Sequence, residues 1–483
     1  MSNSTSQEHT IYRSLSGQIQ LGFFDDGERF PSAQEIARHY HVSYCPAQRA
    51  LKMLEKDGLV KLCRGKETVV LAKPYSNYLE SRVFQERSLS LADLSQTLKL
   101  ISPDICAQGI RSMNSKDVCC HDGNTFTPEY QGKRLYRVFD KTLQALGSRT
   151  VLSLYYDIGS FVESAYLDIL KTLHGDAPVC LFLQEQADTL LKSIPQSQSK
   201  IGSAAIQMQE IGNRFFAEIQ QYLNELSPPA AEEQLSFSWE PRKGRTRYCD
   251  VIAIDLACKI SQGTYKTGTL LPGIEILGNM YHVSPITIRR TISLLNKLEA
   301  VKTINGVGTK VISAHSNELP FKLKELMLDD SLLTCLEALQ LLAVTCKSVI
   351  EFTFEHFMEA VHEDLLMALS SDNPFLSIVS TISACLQAII HCCPLLSIRE
   401  IYSKITLLLL EGSLLRIHGS CRAPLVRWQS ICEELLTGLN SCDKNRFAAA
   451  FQTLILENFT AVKQNLSEIG IAEAANITDP VFP

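Results

Sequence analysis

The chain has 483 residues, of which 45% are hydrophobic and 20% charged, and its formal net charge is −6. These values are typical of a globular protein with several cores, and they exclude a disordered or fibrous chain. The N-terminal segment is polar, and the longest apolar runs, such as 406–410, fall far short of the roughly 20 residues that span a bilayer. We therefore expect a cytoplasmic protein with no membrane partner. The acidic balance argues against bulk attraction to nucleic acid, but not against a local basic face.

The 16 cysteines are scattered through apolar helical patterns, which favours reduced core thiols over a disulfide framework. Two clusters, Cys119-Cys120-His121 and His391-Cys392-Cys393, contain the residue types of metal sites. Adjacent cysteines on a helix point ~100° apart and do not form the usual Cys-x-x-Cys clamp. We therefore expect neither a metal nor another cofactor, and the role of these cysteine pairs stays open.

Residues 11–71 predict three short helices followed by a two-stranded β-wing. Apolar residues at helical spacing mark the helices, and Ser32 and Glu35 form a capping box that starts the second one. The predicted elements are helices over 11–21, from 32 to about 40 and from 44 to before Gly58, and strands at 60–62 and 68–71.

Residues 271–311 predict a second unit of the same kind. Ser284 is a good N-cap and Pro285 suits the first helical position, so the helix that follows has a well-defined start. Its core-facing stripe consists of Ile288, Ile292 and Leu295. Arg289 and Arg290 fall off this stripe near the N-terminal end of the helix, which is the end that meets base edges when a helix-turn-helix docks on DNA.

The two stretches repeat each other without a gap. Pro272 matches Pro31, and Tyr281-His282-Val283-Ser284 matches Tyr40-His41-Val42-Ser43, at an offset of 241 residues (272 − 31). Because this offset is close to half of 483, the whole chain is expected to be a tandem duplication. A helical pattern follows each copy, and short sequence matches persist there with small changes of offset.

The segments PSAQEIARHYHVS in the first copy and LPGIEILGNMYHVSPITIRRTI with GVGTKV in the second resemble the winged helix-turn-helix of the GntR family of bacterial transcription regulators. The helical segments resemble, more weakly, the effector domain of its FadR-type branch. This resemblance implies a mainly α fold in which two winged helix-turn-helix domains alternate with two all-helical bundle domains. The expected domains are winged helix 1 over 1–72, helical domain 1 over 73–226, a linker over 227–246, winged helix 2 over 247–314 and helical domain 2 over 315–483.

The resemblance also implies DNA contacts in both copies. They are Ser43, Tyr44, Gln48, Arg49, Lys52, Arg64, Gly65 and Lys66 in the first copy, and Ser284, Thr287, Arg289, Arg290, Gly306, Gly308 and Thr309 in the second. The first copy departs further from the family, because Gln48 replaces the mid-helix arginine that the second copy keeps as Arg289. In addition, Glu67 replaces the second wing glycine, Gly308. We therefore expect the second copy to be the stronger DNA reader.

Metal-binding members of the FadR-type branch hold the ion with one Asp and three His, a pattern that this chain lacks. The corresponding positions carry Tyr136 and Asp140 in the first half, Val379 and Ser383 in the second half, and Trp428 as the best match for a later histidine. We expect no metal in either helical domain, and an apolar ligand cavity in its place.

The favoured hypothesis is a sequence-specific transcription regulator that reads a double-stranded DNA operator. A fused and diverged pair of winged helices would act as an intramolecular pseudo-dimer, with further homodimerisation left open, and a small-molecule effector would shift the spacing of the two readers. The alternative is a ligand-sensing or protein-interaction scaffold that has lost specific DNA binding, given the missing arginines and the net acidity. No nucleophile elbow, phosphate loop, dinucleotide fingerprint or zinc motif occurs, so we do not expect an enzyme.

Overall fold

A computed structural model describes residues 7–20, 24–40, 42–62, 67–71, 78–113, 127–162, 164–193, 201–226, 234–241, 248–261, 264–297, 300–312, 330–370, 374–410, 425–468 and 470–482. The chain divides into two compact units. Unit 1 is residues 1–244 with 395–397 and 481–483, and unit 2 is residues 245–394 with 398–480. Each unit contains one winged helix followed by helical structure.

Winged helix 1 has the three predicted helices and the two predicted wing strands, together with a short strand, β1 (Arg29–Phe30), that was not predicted. These are α1 (Gln7–Gln20), β1 (Arg29–Phe30), α2 (Ala33–His39), α3 (Tyr44–Lys56), β2 (Val60–Lys61) and β3 (Thr68–Val70). The strands form an antiparallel sheet in the order β1-β3-β2. The predicted capping box is confirmed, because the Glu35 amide donates to Ser32 Oγ and the Ser32 amide donates to the Glu35 carboxylate.

Helical domain 1 follows, and every element of regular structure described in it is helical. It contains α4 (Arg82–Ser112), α5 (Pro128–Gln144), α6 (Arg149–Val162), α7 (Ala165–His174), α8 (Asp176–Ser193) and α9 (Ile201–Glu225). The long helix α4 packs along α9, α5 packs along α8, and α1 of winged helix 1 packs against α6. Unit 1 therefore joins its winged helix to its helical domain through helix-on-helix contact.

Unit 2 repeats this arrangement. Winged helix 2 contains α10 (Tyr248–Ser261), α11 (Ile274–Met280), α12 (Pro285–Lys297), β4 (Val301–Ile304) and β5 (Gly308–Val311). Helical domain 2 contains α13 (Asp330–Thr353), α14 (Glu359–Leu369), α15 (Pro374–Cys392), α16 (Leu396–Leu409), α17 (Leu425–Asn440) and α18 (Lys444–Glu468). The predicted start of the second-copy recognition helix is confirmed, because α12 begins at Pro285 directly after Ser284.

The helical stretch 332–356 in helical domain 2 is long and apolar enough to cross a bilayer by length and composition. However, 78% of its apolar window is buried inside the fold. It contains most of α13, which packs against α18 and α15. Packing within the domain thus accounts for the apolar character of this helix.

The 241-residue repeat extends to individual backbone hydrogen bonds. The amide of Val42 donates to the carbonyl of Ala37, and 241 residues later the amide of Val283 donates to that of Gly278, both at 3.0 Å. Equivalent bonds tie the loop after the first helix of each copy to the end of its wing, where the amides of Gly27 and Gly268, with φ of +80° and +89°, donate to the carbonyls of Val70 and Val311. The two winged helices therefore share one backbone scaffold.

One polar cluster within that scaffold has changed chemistry between the copies. In winged helix 1 the Tyr40 hydroxyl lies 2.7 Å from Ser14 Oγ and accepts from Gln18. In winged helix 2 the equivalent Tyr281 donates to Asp255 Oδ2 at 2.6 Å, and Lys259 Nζ lies 2.8 Å from the same oxygen. A neutral cluster has thus become a buried ion pair with the same tyrosine.

Residues 234–241 of the predicted linker are packed onto helical domain 1, and Trp239 is the anchor. The side chain of Trp239 is fully buried and its Nε1 donates to Ser153 Oγ at 3.1 Å. The ring of Phe237 meets that of Phe161 edge-on at 5.7 Å. At least this part of the linker is therefore fixed by an aromatic docking contact.

Two helical glycines in helical domain 1 give a test of packing. A Cβ at Gly109 of α4 would overlap the carbonyl oxygen of Thr142, whereas a Cβ at Gly159 of α6 would meet nothing within 4 Å. We predict that Gly109→Ala lowers the free energy of unfolding by ~1–3 kcal/mol through overpacking. The matched variant Gly159→Ala raises it by ~0.5–1 kcal/mol, because alanine favours the helix.

Urea unfolding followed by the fluorescence of Trp239 measures both effects, with Trp428→Phe as background because the chain has two tryptophans. Equal shifts for the two alanines would contradict the close approach of α4 to α5.

Candidate nucleic-acid interface

The recognition helix of winged helix 2, α12, is oriented by its buried face. The Ser284 Oγ accepts from the Thr287 amide at 3.4 Å and caps the helix. The buried residues are Ile288, Thr291, Ile292 and Leu295. Thr291 Oγ1 donates to the carbonyl of Cys249, which ties α12 to α10. As a result, Arg289 and Arg290 are exposed, as their position in the sequence predicted.

The wing of winged helix 2 is a hairpin that turns at two glycines. Gly306 and Gly308 have φ of +76° and +131°, values that L side chains rarely adopt. Lys302 and Lys310 are exposed and stand directly opposite each other in the β4–β5 register. Like charges in this position repel, so the hairpin presents a concentrated positive charge to an outside anion.

Thr309 corrects one sequence expectation. The burial pattern of β5 alternates, and the side chain of Thr309 is only 8% exposed. It therefore lies on the inner face of the hairpin. The neighbouring Lys310 is exposed, because successive side chains of a strand point to opposite faces.

In winged helix 1 the recognition helix α3 exposes the predicted contacts of its first turns. These are Ser43, Tyr44, Gln48, Arg49 and Lys52. Arg49 is the counterpart of Arg290, yet its Nη1 lies 3.6 Å from Glu8 Oε2. The counterpart of Glu8 in winged helix 2 is the uncharged Cys249. The first copy thus has a carboxylate beside its recognition arginine that the second copy lacks.

The wing of winged helix 1 is described only in part. Its predicted contacts Arg64, Gly65 and Lys66 lie outside the described residues. Glu67 is described, and its carboxylate lies 3.0 Å from Arg29 Nε. Arg29 also contacts Glu35, whose pKa is lowered mainly by the hydrogen bond from the Ser32 amide. The acidic wing residue is therefore held by a local cation.

His282, in the turn before α12, contacts helical domain 2. It has a positive φ of 51°, its Nε2 lies 3.1 Å from Gln387 Oε1, and its ring lies 5.8 Å from that of His391. The sequence predicts that His282 is a polar turn residue. Its contacts with α15 were not foreseen, because they depend on a helix about 100 residues further along the chain.

Winged helix 1 contacts its own helical domain through the same turn region. The rings of His39 and Tyr40 pack against Tyr156 at 5.8 and 5.5 Å. The Tyr156 hydroxyl donates to Asp140, and burial raises the pKa of that carboxyl. Tyr136 and Asp140, which occupy the metal-pair positions of the resembled family, thus lie near this contact. Within the described residues no three His, Cys, Asp or Glu side chains are grouped to hold a metal.

Helical domain 1 contains a cavity of about 340 Å³ with a mainly apolar lining. Helices α4 to α9 contribute to it, with Leu98, Phe139, Tyr155, Leu183 and Phe216 among the lining side chains. Gln186 also lines it, and among the residues that the structure describes its buried Oε1 finds no hydrogen-bond partner. The volume falls at the small end of the ~300–1,000 Å³ typical of small-molecule pockets.

The environment of His282 predicts a lowered basicity. Burial lowers its pKa from the usual 6.5, the hydrogen bond to Gln387 partly opposes this, and the charge of His391 lowers it further. The unfolded state then takes up the proton first, so the free energy of unfolding decreases as the pH falls below about 6.5. An NMR titration of the ring protons, assigned with His282→Asn, should give a pKa below 6.5. His391→Asn should raise that value only in part, and a value at or above 6.5 in the wild type would refute the buried contact.

Comparison with known proteins places both winged helices in one family. The family described as bacterial regulatory proteins, gntR family, matches residues 7–70 and 250–311. A stretch of 89 residues is 33% identical to the HTH-type transcriptional regulator TreR of Bacillus subtilis (strain 168). That match covers 18% of this chain and 35% of the relative, so the chain spans about a third of the relative's length.

Solved structures of the same family also resemble the chain at low identity. A Streptococcus agalactiae GntR structure is 15% identical with a TM-score of 0.19, covering 44% of this chain and 99% of that one. A GntR family member from Pseudomonas syringae is 14% identical with a TM-score of 0.21, covering 46% and 88%. The gntR family model of bacterial regulatory proteins thus matches both winged helices of the chain, one after the other.

Proposed function

We propose that this protein is a sequence-specific DNA-binding transcription regulator whose single chain supplies two winged helices to one operator. The observation that carries the proposal is the exposure of Arg289 and Arg290 in the N-terminal half of α12. Recognition helices present that end to base edges in the major groove, and arginine is the commonest reader of guanine there. The match of both winged helices to the gntR family model supports the same assignment.

The charge on wing 2 supports DNA as the partner. Lys302 and Lys310 face each other across the hairpin and so repel. A phosphate between them would remove this repulsion and release counterions from the DNA. Wing and recognition helix would then contact backbone and bases respectively, which is the division of labour that protein–DNA interfaces generally show.

The two readers are unequal in this proposal. In winged helix 1 the Glu8 carboxylate lies beside the Arg49 guanidinium. Gln48 occupies the position that Arg289 has in winged helix 2. A nearby carboxylate competes with phosphate and base acceptors for the guanidinium. The chain would therefore act as an asymmetric pseudo-dimer, with winged helix 2 contributing most of the specificity.

A small molecule in helical domain 1 would regulate DNA binding. The cavity is lined by helices of the domain that packs on winged helix 1, and Tyr136, which lines the cavity, lies on α5 one turn from Asp140 at that contact. A ligand that prefers one arrangement of α5 would shift the position of winged helix 1. The coupling free energy would equal the difference between the ligand's binding free energies for the two arrangements of α5.

Replacing Arg289 tests the proposal that α12 recognises DNA bases. We predict that Arg289→Ala weakens operator binding by ~1–3 kcal/mol, because a bidentate base contact is lost. Gln48→Ala at the equivalent position of α3 should cost less. Gel-shift titration of both variants on the same duplex measures the difference, with Arg427→Ala in helical domain 2 as a control for loss of a surface charge. Equal losses in α3 and α12 would refute the asymmetry.

The scaffold alternative makes the opposite prediction for DNA. It is favoured by the Glu8–Arg49 pair and the net charge of −6. A protein of that kind would show no preference for its own promoter region over random DNA at moderate salt.

Filling the cavity of helical domain 1 tests the proposal that a small molecule binds there. Gly159 lines the cavity and has open space around its Cβ position, so Gly159→Leu should place an apolar side chain inside. We predict that the apolar dye 8-anilinonaphthalene-1-sulfonate gains fluorescence with the wild type and that Gly159→Leu loses most of this gain while keeping DNA binding. Gly273→Ala, in a glycine outside the cavity, is the control. Unchanged dye binding in Gly159→Leu would count against the cavity as the site.

A further inference from the structure

The recognition helix of winged helix 2 carries an exposed apolar side chain in its first turn. Ile286 is 55% exposed and follows Pro285 at the start of α12. Arg289 and Arg290, three and four residues later, are its neighbours on the helix surface. The buried stripe of α12 lies on the other side, so Ile286 contributes nothing to the core of winged helix 2.

The surroundings of Ile286 indicate which kind of partner covers it. Within the residues that the structure describes, Arg289 and Arg290 form no ion pair, so two uncompensated cations flank the isoleucine. A protein partner would have to neutralise both, whereas a DNA duplex supplies guanine acceptors and phosphates to them. The charge on this face therefore favours nucleic acid.

The major groove offers a single apolar group, the C5-methyl of thymine, and apolar side chains recognise thymine by contact with it. Resting on the proposed function, we infer that Ile286 is a specificity-determining residue that packs against a thymine methyl group. Because an arginine lies one turn further along the same face, the thymine is adjacent to a guanine in the half-site read by α12. Ile286 thus selects thymine without a hydrogen bond.

Winged helix 1 provides an internal comparison. The residue equivalent to Ile286 is Cys45, which is exposed but smaller, and the next turn carries Gln48 in place of an arginine. Both parts of the thymine–guanine readout are therefore reduced in α3. The half-site read by winged helix 1 should not share this pair of bases.

The experiment removes only the methyl group. A duplex is recovered from a random-sequence library by selection with the full chain, and each thymine is then replaced singly by deoxyuridine. At one thymine, next to a guanine, the wild type should bind roughly fourfold more weakly, the factor expected for one buried methyl group. Ile286→Ala should weaken binding to the thymine duplex and abolish the thymine–uracil difference at that position.

Three controls separate this contact from other effects. Cys45→Ala should keep the uracil penalty in full, and Ile286→Val should keep part of it. The slope of log affinity against log salt should stay unchanged in Ile286→Ala, since no phosphate contact is lost. Because Ile286 is a surface residue, the thermal midpoint of Ile286→Ala should equal that of the wild type.

Two results would overturn the inference while leaving the proposed function intact. One is selective DNA binding in which no single uracil weakens the complex. The other is an Ile286→Ala variant that retains the full uracil penalty. If the full chain selects no duplex over random DNA, the proposed function and this inference both fail.

Discussion

The DNA-reading surface depends on the burial of one stripe of α12. Ile288 and Leu295 are fully buried and Thr291 hydrogen-bonds to the backbone of α10, so the helix cannot rotate about its axis without exposing apolar area and breaking a buried hydrogen bond. Everything on the outer face follows from this constraint. Ile286, Arg289 and Arg290 point outward because the inward positions are already taken.

Both copies of the repeat keep this buried stripe, whereas the side chains that do not hold the scaffold differ between them. Backbone hydrogen bonds and core positions recur 241 residues apart, for example Ile11 with Ile252 and Leu54 with Leu295. Side chains that do not hold the scaffold have diverged. The Glu8 carboxylate beside Arg49 is one result, and the Asp255–Lys259 pair around Tyr281 is another. Two domains of the same shape therefore differ in the charge that they present to a polyanion.

Contact between each winged helix and its own helical domain would link DNA binding to regulation in the proposed function. In both units the turn region before the recognition helix lies against the helical domain, through Tyr40 and Tyr156 in unit 1 and through His282 and Gln387 in unit 2. In unit 1, Tyr156 lies on α6 and its hydroxyl donates to Asp140 on α5, and both helices line the cavity. In the proposed function, a ligand that moved these helices would have a short path of packed side chains to winged helix 1.

The sequence by itself determined the recognition helices and wings of both winged helices and their relation by duplication, but not the short strand β1. Local signals suffice for these features: the capping box at Ser32, the Ser284–Pro285 start and the periodic stripe of α12 each act within a few residues. Only the tertiary structure decided which side chains are free to bind. It buried Thr309, docked Trp239 and placed Glu8 beside Arg49, because each of these outcomes depends on a partner far away in the chain. The same holds for the cavity, because six helices contribute to its lining and no single segment encodes its volume.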